Sequence, residues 1–164
     1  MIILGIDPGT TAIGYALLEA GNTPRLVHAS LIPVQSTDTC ERLCEIHKGL
    51  GAIIKKWGPE MASVEKLFFA ANTKTAISVA EARGVILLTA RLAGVSVIEY
   101  APREIKKALT GDGRADKLQI KKMVGITIPD AANLRVSDDV FDAIAAALTC
   151  YFQQKLHLKR SREM

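Results

Sequence analysis

Two periods of apolar residues run along the chain, a strand-like one first and a helical one afterwards. Residues 2–6 are a short apolar run, and residues 12–19 form a second, rich in apolar and aromatic side chains. Asp7-Pro8-Gly9-Thr10-Thr11 lies between them, and Asp-Pro-Gly is ordinary turn chemistry. Ala20-Gly21-Asn22-Thr23-Pro24 is the next turn, and residues 25–34 read as a third strand. Strands joined by such short turns predict an antiparallel meander. Leu43, His47, Leu50, Ile54 and Trp57 then recur at three- and four-residue steps, which predicts a helix over 39–56 ended by Gly58-Pro59. Residues 61–66 fit a short buried strand that ends near Glu65. A long helical pattern covers 72–92 and stops at Gly94, and 95–100 is a fifth strand. Pro102 suits the first turn of another helix, Gly111-Asp112-Gly113 breaks it, and a basic helix resumes over 115–124. Ser137 can cap a last helix from 138 to about 154.

This order predicts an α/β fold, a mixed five-stranded sheet whose first three strands are the meander, with helices on both faces. The expected organisation is one domain over 1–155 and a basic, flexible C-terminal tail over 156–164. Sites in such sheets gather at the carboxyl ends of strands. Asp7 ends the first strand and Glu65 lies near the end of the fourth, so parallel pairing of those two would bring the carboxylates to one edge.

Composition narrows the class. With 164 residues, 49% hydrophobic and 23% charged, the chain can bury a substantial core and reads as globular rather than disordered. No apolar run approaches the roughly 18 residues needed to span a bilayer, and the short uncharged start, interrupted by Asp7, is not expected to be a signal peptide. An odd set of three cysteines, Cys40, Cys44 and Cys150, suggests free thiols in a reducing compartment, the cytoplasm. Cys40, Cys44 and His47 are spaced to share a helix face. A zinc site there lacks a fourth ligand nearby in sequence, so the expectation is small buried thiols on a core-facing stripe.

The candidate chemistry is carboxylate chemistry. In S-D-D-V-F-D-A-I-A-A-A-L, residues 137–148, Asp139 and Asp142 share a helix face, and Asp138 and Asp142 share one almost as well. One acid in a first helical turn complements the macrodipole. Two on one face of a helix anchored by its apolar remainder suggest a cation. Oxygen ligands suit hard ions such as Mg²⁺ or Mn²⁺, and a pair of such ions can clamp the attacking and leaving oxygens of a phosphodiester displacement. Asp7, Glu65, Asp139 and Asp142 would supply the carboxylates.

The segments I-L-G-I-D-P-G-T-T-A-I-G-Y, V-E-K-L-F-F-A-A-N, E-A-R-G-V, I-K-K-A-L-T-G-D-G-R-A-D-K-L-Q-I and D-V-F-D-A-I-A-A-A-L occur in this order. Together they resemble the RuvC family, the bacterial crossover (Holliday) junction endodeoxyribonucleases of the ribonuclease-H-like superfamily. The likeness runs from residue 1 to about 153. It implies a ribonuclease-H-like fold and a cytoplasmic homodimer that binds four-way junction DNA. The dimer would make symmetric paired nicks with divalent metal during recombination and repair. It implies two Mg²⁺ per active site, with Mn²⁺ able to substitute, and cooperation with the RuvA and RuvB branch-migration complex. Asp7, Glu65, Asp139 and Asp142 match the family's acids. Phe68 matches an aromatic that stacks on or wedges between bases, for which core packing is the plain alternative. Lys106 and Lys117 match lysines implied in DNA contact and catalysis, and Arg83 sits in the Ala-Arg-Gly element. Lys66 stands where many members have glutamine. Asp138 adds an acid directly before the expected pair and leaves its register open.

Charge agrees with this resemblance. Residues 101–125 hold seven basic side chains, Arg103, Lys106, Lys107, Arg114, Lys117, Lys121 and Lys122, against three acids, a surplus equal to the net charge of +4 on the whole chain. Lys155, Lys159, Arg160 and Arg162 follow near the end. Clustered cations suit a phosphate backbone, although a single basic run is more often a solvated helix face. Asp-x-Gly-Thr-Thr after a strand also occurs in the phosphate loops of sugar kinases, actins and Hsp70-type ATPases. Those close two domains around a nucleotide, and no second phosphate loop is present here. Asp7 is therefore read as a metal ligand. A binding module of the same fold, and a compact nuclease for other branched DNA or for RNA, are the remaining alternatives.

Overall fold

The computed structural model describes residues 1–66, 73–132 and 134–161. The strands are β1 (Ile2–Asp7), β2 (Ala12–Glu19), β3 (Arg25–Pro33), β4 (Met61–Glu65) and β5 (Ser96–Tyr100). The helices are α1 (Thr39–Trp57), α2 (Thr73–Leu92), α3 (Pro102–Thr110), α4 (Lys117–Thr127) and α5 (Asp138–Arg160). They build one sheet in the order β3-β2-β1-β4-β5. The first three strands are the predicted antiparallel meander, and β1, β4 and β5 run parallel.

Side chains alternate across a strand, so each strand serves two faces. Leu4 and Ile6 of β1, Ile13, Tyr15 and Leu17 of β2, and Ala62 and Val64 of β4 pack with Ile46, Leu50 and Ile54 of α1 and Ala82, Ile86 and Ala90 of α2. Ile3, Ala16 and Leu18 go the other way, onto α3, α4 and the apolar body of α5. The same alternation sends Asp7 and Glu65 to the α5 side. Ser63, two residues before Glu65, confirms the direction: its hydroxyl donates 2.6 Å to the carbonyl of Ala146.

Glycine sets how closely α5 lies on the sheet. A Cβ at Gly5 would stand 2.0 Å from the Ala143 carbonyl oxygen, and one at Gly14 would stand 2.0 Å from that of Asp139. Gly14 is also the register partner of Asp7, so the first turn of α5 is pressed down beside the end of β1. Gly14→Ala is expected to destabilise the protein by about 3 kcal/mol or more, because the clash is with backbone that cannot step aside. Gly51→Ala, in open space on α1, is expected to be neutral or slightly stabilising. Thermal denaturation of the two variants checks the contrast.

Three expectations change. The last helix runs to Arg160, through most of the stretch read as a tail. The buried stripe of α1 is Ile46, Leu50 and Ile54, so Cys40, Cys44 and His47 are exposed rather than core-facing, and His47 pairs with Thr89 at 2.8 Å. The basic helix starts at Lys117 because Asp116 caps it, accepting from Gln119 N at 2.8 Å while the Gln119 side chain returns to Asp116 N. Among the described residues no helix is long and apolar enough to cross a membrane.

Candidate active site

Parallel pairing of β1 with β4 places Ile6 beside Val64, so Asp7 and Glu65 follow as neighbouring ends of central strands. The start of α5 lies over them, with Asp139 in its first turn and Asp142 at the beginning of its second. Opposite, Gly111 closes α3 with a left-handed φ of 82°, the chain turns, and the Asp116 cap starts α4 so that Lys117 faces α5. Glu65, Lys106, Lys117 and Asp142 line a cleft of about 200 Å³, walled by Pro102, Ile105, Ile120 and Ala145.

The electrostatics show how closely these acids are coupled. Burial pushes the Asp7 carboxyl up to about 8, and the charges of Glu65, Asp142 and Asp139 push the same way, against a partial pull from Lys117. Burial likewise raises Glu65 to about 7, with Asp142 adding and Lys117 and Lys106 opposing. Asp142 is also raised, first by burial, despite the neighbouring ammonium of Lys117. Burial would lower Lys117, but its bonds to Asp138 and Asp142 prevail and hold it above the ordinary lysine value. Like-charged carboxylates crowded out of water prefer a proton or a cation.

The donor set is all oxygen and anionic, which fits a hard divalent ion. Its arms are not yet closed on one point: among the described residues no three His, Cys, Asp or Glu side chains stand close enough to share an ion. Lys117 Nζ lies 3.2 Å from Asp142 Oδ2 and so supplies positive charge to one of the acids.

The sequence-predicted residues therefore separate into groups. Asp7, Glu65, Asp139, Asp142, Lys106 and Lys117 come to one end of the sheet. The two adjacent acids of α5 part company: Asp139 acts on Asp7, whereas Asp138 turns outward to Lys117 and Lys121. Lys121 lies one turn beyond Lys117, with its ammonium 5.4 Å from the centre of the Phe141 ring. Lys107 and Arg114 are exposed, and Arg114 approaches Asp112 at 3.7 Å. Arg83 belongs to α2 and forms a half-buried ion pair with Glu99 of β5. Phe68 lies outside the described residues. Sequence reasoning missed Gly14, whose role depends on strand register, and the pairing of Asp138. The only signal for the latter was an extra acid facing a lysine-rich helix.

A family model described as crossover junction endodeoxyribonuclease RuvC matches residues 3–150. A relative bearing that description, from Moorella thermoacetica, is 46% identical over 150 residues, covering 90% of this chain and 89% of its own. The solved structure of Thermus thermophilus RuvC superimposes with a TM-score of 0.85 at 30% identity, over 96% of this chain and 97% of that one. T. thermophilus RuvC in complex with a Holliday junction substrate gives 0.86 at 31% identity, over 96% of each chain.

Proposed function

The chain belongs to the RuvC family of crossover junction endodeoxyribonucleases, and we propose that it is a Holliday junction resolvase that cuts four-way DNA with symmetric paired nicks. The observation that carries the reading is the gathering of Asp7, Glu65, Asp139 and Asp142 at one sheet end beside Lys117, in a chain with this membership.

Nucleases of this family are metal-dependent. Asp7, Glu65, Asp139 and Asp142 are the residues that would hold Mg²⁺, two ions per site, with Mn²⁺ as a substitute. When bound, such ions lower the pKa of an attacking water and offset charge on the leaving 3′ oxygen. The protein's own groups do the rest. Gly5 and Gly14 let α5 press its acids down onto the sheet. Lys117, once it leaves Asp142, is placed to offset charge on the scissile phosphate. Lys106 and Lys107 of α3, Arg114 of the connecting turn and Lys121 of α4 extend positive charge for the flanking backbone, and Phe68 and Arg83 are further candidates for DNA contact. Residues 1–155 would be the nuclease domain. Membership of the family supports a place in the cytoplasm and cooperation with RuvA and RuvB.

Paired nicks need two sites, and α2 offers a face for a second copy. Ile77, Leu88 and Leu92 are 69%, 58% and 74% exposed along one side of the helix. Gly84 lies among them with open space where a side chain would be, so a second helix can approach closely. Leu88→Arg is expected to shift the protein from dimer to monomer in sedimentation velocity and to uncouple the two nicks. The test of the function is the mapping of nicks on a synthetic four-way junction in Mg²⁺. Nicks at matching positions on two strands of like polarity support it. Binding with no nick in Mg²⁺ or Mn²⁺ would leave a binding module instead.

A further inference from the structure

Asp138 has no place among the four acids of the site, and its surroundings suggest a different task. Its two oxygens are divided between two ammonium groups, Oδ2 at 3.2 Å from Lys117 Nζ and Oδ1 at 3.2 Å from Lys121 Nζ. The lysines are four residues apart and present one face of α4. A backbone phosphate would offer two oxygens to the same pair in the same way. The carboxylate is 62% exposed and each lysine 44%, so this arrangement sits at the rim where DNA would arrive.

We propose that Asp138 is a built-in phosphate mimic: it occupies Lys117 and Lys121 in the free protein, and a DNA backbone must displace it to bind. It thereby weakens attachment to any duplex and leaves stable binding to substrates that make further contacts, as a junction does across two subunits. This rests on the nuclease reading, because it takes Lys117 and Lys121 to face DNA.

The test is fluorescence anisotropy in EDTA, where no cutting occurs, with a labelled four-way junction and a labelled linear duplex over a range of KCl. Wild type is compared with Asp138→Asn, with Lys117→Met/Lys121→Met, and with the triple variant. Asp138→Asn is expected to bind both DNAs about two- to fivefold more tightly, the range set by exposed ion pairs. Its log–log salt slope is expected to steepen by about one, as Lys121 is freed while Lys117 keeps its pairing with Asp142. In the double-lysine background the same substitution is expected to do nothing. A variant that binds no more tightly than wild type sinks the proposal alone. So does an equal gain with both lysines removed, which would mean general charge repulsion. A wild type that binds no junction at low salt overturns the nuclease reading and this inference together.

Discussion

Asp7→Asn is expected to bind a four-way junction and to leave it uncut. The side chain sits at the end of β1, facing α5, where Glu65, Asp142 and Asp139 act on it directly. An amide is similar in size and keeps the turn, but it brings no charge to a divalent ion. The expected loss in nicking rate is at least about a thousandfold, corresponding to the several kcal/mol that a bound cation contributes to a charged transition state. Binding should survive, since the cations of α3 and α4 are untouched and one negative charge near the DNA is gone. Single-turnover nicking in Mg²⁺, alongside junction binding in EDTA, separates the two effects. Retention of more than a tenth of the wild-type rate would remove Asp7 from the metal-holding set.

The metal-free protein is expected to lose stability as pH rises through about 7 and 8. Asp7 and Glu65 have folded-state values of about 8 and about 7, against ordinary values of 3.8 and 4.5. The folded state therefore binds protons that the unfolded chain has already released. Such groups favour folding fully below their unfolded values, and that contribution is lost as pH climbs through the folded ones. In EDTA, the Tm of wild type is expected to fall between pH 5.5 and 9 by roughly 4 °C or more relative to the Asp7→Asn/Glu65→Gln variant, whose two groups do not titrate. Mg²⁺ added at pH 8 should raise the wild-type Tm and leave the variant's unchanged, because a divalent ion replaces the protons in the crowded site. Parallel pH profiles for the two proteins would show that the acids are not crowded in solution.

Much of this was legible in the sequence because the relevant signals are local. Apolar alternation and the Asp-Pro-Gly-Thr-Thr turn placed Asp7 at a strand end. The apolar run before Glu65 did the same there, and the DDVFDAIAAAL segment put its acids at the start of a helix. What stayed hidden depends on partners distant in the chain. The side of the sheet that Asp7 faces follows from alternation, but which helix covers that side does not. Gly14 matters only because its strand register sets it against the Asp139 carbonyl. Adjacent acids on a helix differ by about a quarter turn, so Asp138 and Asp139 read alike until α4 is in place to draw one of them away. The same kind of offset misplaced Cys40 and Cys44: the buried stripe of α1 is centred on Ile46, Leu50 and Ile54, and the thiols fall beside it.

The central claim is metal-dependent cutting selected by DNA shape. Its most direct measurement is the rate at which the wild-type protein nicks a synthetic four-way junction, compared with a linear duplex of the same arm sequence, in Mg²⁺ and in EDTA. The predicted result is cutting of the junction in Mg²⁺ alone, with the linear duplex left intact. Equal cutting of both DNAs would contradict the junction assignment, and equal cutting in EDTA would contradict the role given to the four carboxylates.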